Sequence, residues 1–225
     1  MAEVLGNGLS VRDLECTRAG RRVFSGVSFD VAPGDVVQVR GANGSGKSSL
    51  LRLLCGLLQP SRGEVQWCGQ RIGARDAGFE DDVAYMGHAD GLSGDLSVLE
   101  NLHFCLHVAG RVGAEVELAE VLHDLRLAHR AHEHVRQLSQ GQRRRLNLAR
   151  VVLSRRRLWL LDEPCAGLDA QGEQHFDAYL AEHLRQGGLA VVTTHRDIGR
   201  DGPCAQALEM DSFNDADSLD SDHRP

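Results

Sequence analysis

Between positions 41 and 48 the chain reads Gly-Ala-Asn-Gly-Ser-Gly-Lys-Ser, the G-x-x-x-x-G-K-[ST] spacing. The chemistry such a run can do is phosphate recognition. Gly41, Gly44 and Gly46 let the backbone turn so that N–H groups converge as an anion nest, with Ala42, Asn43 and Ser45 supplying the backbone between them. A helix starting at the end of the run adds the positive end of its dipole. Lys47 can place a compact charge between the β- and γ-phosphates of a triphosphate, and the Ser48 hydroxyl can ligate Mg²⁺, with Ser49 next in the same turn. Lys47 is the one lysine among 25 basic residues. A chain that uses arginine almost everywhere keeps its single ammonium where phosphate chemistry asks for one. A plain glycine turn would explain the glycines but not the Lys-Ser pair.

A second chemical element lies 115 positions after Lys47, where Leu158-Trp-Leu-Leu ends in Asp162 and Glu163. An apolar strand has no structural reason to finish on two acids. Beside a phosphate loop, Asp162 can hold Mg²⁺ through water and Glu163 can act as general base on an attacking water. An exposed acidic turn before Pro164 is the bland alternative, and it would prevail only if the pair stood alone.

These residues need elements to position them. Leu9, Val11 and Leu14 begin an extended run, Val27–Val31 alternates apolar and polar, and Val36–Val39 is a β-branched run expected as a buried strand leading into the glycines. Residues 48–56 then carry leucines at helical spacing and close on Gly56. Short strands are expected at 63–69 and 83–86. Ser97-x-x-Glu100 is a capping box ahead of Leu99, Leu102 and Leu106, and the helical region continues through 113–136. A helix ending near Ser154, a strand at 158–161, a helix at 170–186 and a strand at 189–193 follow. Strands alternating with helices imply a largely parallel sheet whose ligands gather at the carboxyl ends of its strands. The expected organisation is one domain over 1–210, a helical subdomain inserted at about 91–137, and a poorly ordered acidic tail at 211–225.

Composition narrows the class. With 225 residues, 42% hydrophobic and 25% charged, the chain has the make-up of a globular protein and not of a collagenous or disordered one. No run approaches the roughly 18 apolar residues that span a bilayer, and the start lacks the basic-then-apolar order of a secretory signal, so a cytosolic chain is expected. Its six cysteines include no C-x-x-C pair, the pattern of reduced thiols. A net charge of −7 argues against general nucleic-acid affinity.

Three more motifs follow in order: Leu138-Ser139-Gln140-Gly141-Gln142, Ala166-Gly-Leu-Asp169, and His195 at the end of Val191-Val-Thr-Thr. With the phosphate loop and the two acids, they resemble the ATP-binding-cassette (ABC) ATPases over nearly the whole chain. The first is similar to that family's L-S-G-G-Q signature, the second to its D-loop, and His195 stands at the switch-histidine position. The resemblance implies an α/β fold, a P-loop NTPase ABC cassette with a mainly parallel core sheet, an N-terminal antiparallel β part and an inserted helical subdomain. It implies ATP and Mg²⁺ as cofactors and catalytic roles for Lys47, Glu163 and His195. It also implies that two copies pair head to tail, Ser139, Gly141 and Gln142 of one closing on the nucleotide of the other, with Asp169 bridging the subunits. Ser139 and Gly141, at a helix start, are suited to offer a hydroxyl and N–H groups to phosphate.

Three positions depart from the family, and Gln140 for glycine in the signature is the mildest of them. Arg18 stands where an aromatic residue usually stacks on adenine, and a guanidinium plane can itself stack on a base. His88, in Tyr85-Met-Gly-His, replaces the glutamine that links metal to the membrane partner; an imidazole can take over that hydrogen bonding and adds a group that titrates near neutrality. The stretches 41–67, 87–92, 97–104 and 138–150 resemble the subfamily of haem-exporter ATPases in bacterial cytochrome c maturation. That resemblance implies a peripheral protein on the cytoplasmic face of the inner membrane, working with integral membrane subunits of the CcmB and CcmC type, in haem export or haem-chaperone release. The alternatives are the ATPase of a polysaccharide or drug exporter, or a non-transport ABC ATPase acting on nucleic acid or ribosomes. His103 and His107, with His123, His129, His132 and His134, read as a solvated or partner-facing surface and not as haem ligands. Arg143–Arg145 follows the signature, where its charge serves phosphate and helix, and Arg155–Arg157 reads as a solvated turn; neither is assigned to nucleic acid.

Overall fold

The computed structural model describes residues 7–73, 77–89, 91–111, 113–196, 198 and 205–214. β1 (Leu9–Arg18) and β2 (Arg21–Val31) form an antiparallel hairpin, and β3 (Val36–Arg40) runs into the glycine loop and α1 (Lys47–Leu54). β4 (Arg62–Trp67), β5 (Gln70–Arg71), α2 (Ala77–Glu80) and β6 (Val83–Met86) follow, then α3 (Val98–Val108), α4 (Glu115–Asp124) and α5 (Gln140–Ser154). β7 (Leu158–Asp162), α6 (Ala170–Arg185), β8 (Leu189–Thr193) and β9 (Ala205–Glu209) complete the order. Two sheets result: an antiparallel one ordered β2-β1-β4-β5, and a parallel one ordered β6-β7-β8-β3-β9.

The parallel sheet explains the continuous apolar runs of the sequence. Along β7, Leu158 and Leu160 enter the layer shared with α1 and the antiparallel sheet, while Trp159 and Leu161 enter the layer shared with α3 to α6. Both faces are covered, so positions 158–161 are all buried and apolar. Each such leucine contributes about 2 kcal/mol by leaving water.

In the antiparallel sheet, β1 buries Leu9, Val11, Leu14 and Cys16, and the step from 11 to 14 breaks the two-residue alternation. The register with β2 shifts there, and Asp13, at φ 45, is the extra residue, its N–H donated to Ser28 Oγ at 2.8 Å. One inserted residue returns the next side chains to the buried face. Gly63 of β4 lies on this bulge: a Cβ there would sit 2.3 Å from Asp13 O, at φ +81.

Some expectations shift. The helical reading of 113–136 resolves into α4 and short 3-10 turns at Ala128–Arg130 and Val135–Gln137, since Arg126, at φ 55, ends the helical path. The capping box at Ser97 forms, with Glu100 N–H donating to Ser97 Oγ at 3.2 Å and Ser97 N–H to Glu100 Oε2 at 2.7 Å. Residues 211–213, assigned by sequence to the tail, belong to a 3-10 turn at Met210–Phe213; residues 215–225 lie outside the described residues. Cys16, Cys55, Cys68, Cys105 and Cys165 are free thiols, of which Cys16 and Cys165 are buried.

Candidate nucleotide site

Burial of the β-branched run in β3 fixes the strand end from which residues 41–46 turn back into α1. Gly46 caps that helix at φ 98 and has no side chain to accept from the first amides of α1. A Cβ on Gly46 would lie 2.8 Å from both Val23 and Phe24, because β2 packs directly on the loop. Lys47 is 7% exposed, and its Nζ donates to Gly41 O at 2.7 Å and Ala42 O at 3.0 Å, carbonyls and not carboxylates. Ser45 Oγ is buried with no hydrogen-bond partner. Uncapped amides, an ammonium bonded only to carbonyls and an orphaned hydroxyl make a cradle of donors, which an anion completes.

This cradle forms one wall of an 820 Å³ cleft bordered by Asn43, Gly44, Gly46, Lys47, Ser48 and Ser49; Gly41, Ala42 and Ser45 lie behind that wall. Across the cleft stand Asp162, Glu163, His195 and His88, and Arg18 borders it from the end of β1. The sequence therefore named residues that the fold brings together from five separate segments.

The two acids are held differently. Asp162 is 4% exposed, and its Oδ1 accepts from Thr193 Oγ1 at 2.7 Å. Glu163, at φ 50, turns off the strand; its N–H donates to Thr193 Oγ1 at 2.9 Å and Thr193 O at 3.1 Å. Its Oε1 lies 3.1 Å from His195 Nε2. Asp162 and Ser48, both bordering the cleft, offer a hard cation two oxygens, and among the described residues no cluster of three or more His, Cys, Asp or Glu side chains competes for it.

The signature residues are placed otherwise. Ser139 caps α5, accepting from Gln142 N–H at 3.2 Å, while Gln142 Oε1 accepts from Ser139 N–H at 2.8 Å. Ser139, Gly141 and Gln142 do not border the cleft, but Gln140 does. Asp169 caps α6, and its carboxyl lies below the ordinary range because Gly172 N–H bonds it at 2.9 Å and Arg145 pairs with it at 2.7 Å. It too lies off the cleft. Sequence reasoning missed Val23 on the cleft border and Thr193 behind the acids, and it quoted Gln140, Arg144 and Ala166 within their motifs without assigning them to the site. Of the two missed, only Thr193 left a signal, a hydroxyl ending an apolar strand. Asp211 was also missed: both its carboxylate oxygens accept from Ala42 N–H at 3.1 Å.

A parallel sheet with a donor-lined loop at the end of β3 and acids at the end of β7 defines a P-loop nucleotide-binding protein. The chain belongs to the ABC transporter family, whose profile matches residues 24–166. It is 50% identical over 214 residues to the "Cytochrome c biogenesis ATP-binding export protein CcmA" of Bordetella bronchiseptica, covering 95% of this chain and 94% of that protein. It is 43% identical over 190 residues to the protein of the same description from Nitrosomonas europaea, covering 84% and 89%. Among solved structures it is similar to an ATP-binding subunit of an ABC transporter, at 27% identity and a TM-score of 0.77 over 84% of this chain and 80% of that one. A putative ABC transporter ATP-binding protein of Pyrococcus furiosus, 21% identical with a TM-score of 0.80 over 92% of this chain and 100% of that one, shares the fold.

Proposed function

We propose that this chain is the ATP-hydrolysing subunit of a membrane ABC transporter complex for c-type cytochrome biogenesis, acting in haem export or haem-chaperone release. The observation that carries the hydrolytic part is Glu163 Oε1 at 3.1 Å from His195 Nε2, on the cleft wall facing the P-loop. The relatives named for cytochrome c biogenesis support the biological part.

In this reading the loop amides and Lys47 bind the β- and γ-phosphates, and Arg18 stacks on the base. Ser48 and Asp162 hold Mg²⁺, which neutralises charge on the phosphates. Glu163 accepts a proton from the attacking water as its oxygen bonds to the γ-phosphorus and the bond to the β-phosphate oxygen breaks, giving ADP and phosphate. His195, protonated on Nε2, donates to Glu163 Oε1 and fixes the carboxylate, and it also faces the γ-phosphate. Two copies pair head to tail, so that Ser139, Gly141 and Gln142 of one approach the phosphates bound by the other, with Asp169 at the junction.

No helix among the described residues is long and apolar enough to cross a membrane. Integral subunits of the CcmB and CcmC type supply that part, and the chain sits peripherally on the cytoplasmic face of the bacterial inner membrane. Phe104 and Val108, one turn apart on α3 and 64% and 62% exposed, border a 210 Å³ groove against β6 and α5, which supports docking there. His88, in the segment joining β6 to α3, couples that surface to the nucleotide.

Replacing Lys47 by Ala or Glu163 by Gln in the cell is expected to abolish covalent haem attachment to c-type cytochromes while b-type haem survives. Haem-stained gels beside a b-type spectrum read the contrast. Normal c-type bands would refute the cytochrome assignment and leave the ABC ATPase standing.

A further inference from the structure

The run Arg143-Arg144-Arg145 does not form a surface patch of charge, because each side chain leaves for a different segment. Arg143 donates to Val135 O at 3.2 Å and Arg136 O at 3.1 Å, and Arg145 pairs with Asp169. Arg144 turns inward and is 7% exposed. Its Nη1 donates to Gly87 O at 3.1 Å, while its Nη2 donates to Asp162 O and to Glu163 O, the latter at 2.5 Å. One guanidinium thus joins the signature helix α5, the residue before His88, and the backbone that carries both acids.

We propose that Arg144 is a positioning residue that aims the Glu163 carboxylate and ties its direction to the His88 segment. Glu163 adopts a left-handed backbone, which a residue with a Cβ keeps only when its surroundings hold it. Thr193 holds the turn at the amide of Glu163, and at its carbonyl Arg144 donates beside the Ala166 N–H, which bonds the same oxygen at 3.0 Å. The hold from the carbonyl side comes from α5, five residues beyond its cap at Ser139, so a shift of α5 or of Gly87 changes what Glu163 O is bonded to. A planar fork with donors on both terminal nitrogens serves the carbonyls of Gly87 and of Asp162 and Glu163 at once; a lysine ammonium, a single point of charge, cannot span them.

This inference rests on Glu163 as the general base, and the test separates the two. ATP hydrolysis by the full chain is measured for Arg144→Lys, Glu163→Gln and the double variant. Arg144→Lys is expected to lower kcat about tenfold or more while KM for ATP stays within about twofold, and to change the residual rate of Glu163→Gln by less than about twofold. An equal loss of kcat in both backgrounds, or a KM that rises in step, would overturn the positioning role. If Glu163→Gln alone hydrolyses at the parental rate, the general base is misassigned and the inference falls with it. Hydrogen exchange gives a readout independent of activity: in Arg144→Lys the amides of Glu163, Cys165 and Ala166 should exchange faster while those of β8 keep parental protection. Loss of protection throughout the chain would mark a purely structural arginine and also overturn it.

Discussion

At the carboxyl ends of β3, β7 and β8 the parallel sheet opens on the 820 Å³ cleft, and at the amino ends of β7 and β8 a 460 Å³ cavity lies between α4 and α6. At the cleft, Lys47 Nζ bonds carbonyls of its own loop, and behind the cleft wall Ser45 Oγ has no hydrogen-bond partner among the described residues. In the cavity, charge is matched within the protein. Glu117 takes both Arg111 and Arg155 at 2.7 Å, Arg156 pairs with Asp81 at 3.1 Å, and Tyr179 OH donates to Asp124 at 2.9 Å. His183 stacks on Trp159 with centroids 3.9 Å apart, and its imidazole is pushed down to about 4, first by burial. The same strands thus support one end built to receive charge and one end whose arginines 155 to 157 are already paired with acids of the chain. Arg155–Arg157, expected as a solvated turn, is part of that second end.

The sharpest way to break the comparison is to remove the cation of the open end. Lys47→Ala should reduce ATP binding and hydrolysis by about a hundredfold or more, because the charge that faces a bound triphosphate is lost. Thermal unfolding should change little, since the ammonium bonds carbonyls of its own loop and leaves no buried carboxylate unpaired. Parental ATPase rates would sink the P-loop assignment.

At the closed end the expected effect is on stability alone. The folded-state pKa of His183, about 4, lies below the ordinary 6.5, so the unfolded chain takes the proton first as pH falls. Stability from this group is complete above about 6.5, declines between 6.5 and 4, and is lost below; the loss is on the order of 2 to 3 kcal/mol. Thermal melts across that interval should show it, and His183→Phe, which keeps the stack without the proton, should flatten it. ATP hydrolysis at neutral pH should stay within about twofold. A His183→Phe variant with the pH slope unchanged would assign the titration elsewhere.

The contrast between the ends also shows what a sequence can display. Phosphate chemistry needs fixed residue types at fixed spacing, so Gly41 to Ser48, Asp162, Glu163 and His195 were legible before any fold, and the buried strands announced themselves as apolar runs. Arg144 was not, because a guanidinium bonding backbone carbonyls leaves no partner side chain to pair it with in the sequence. Asp211 was not, because its partner Ala42 is 169 residues away and its acidic neighbours read as a tail. The extra residue at Asp13 showed only as an irregular step in β1, and the charge matching around Glu117 depends on α4 meeting the turn after α5, which no local pattern encodes.

The smallest expected effect lies where the cleft meets the helical region. His88 borders the cleft from the segment between β6 and α3, and Arg144 bonds the carbonyl of the residue before it, so the segment touches nucleotide chemistry on one side and leads to α3 on the other. In the assembled membrane complex, His88→Ala should lower ATP turnover several-fold, about 1 kcal/mol, because the coupling proposed for this segment loses one hydrogen-bonding group while the phosphate loop stays intact. ATP affinity of the isolated chain should remain near the parental value, since Lys47 and the α1 amides carry it. Nucleotide titration of the isolated chain beside turnover in membranes separates the two quantities. Weakened ATP binding with normal turnover in the complex would move His88 from the coupling segment into the cradle itself, and the open end of the sheet would then extend one residue type further than its donors.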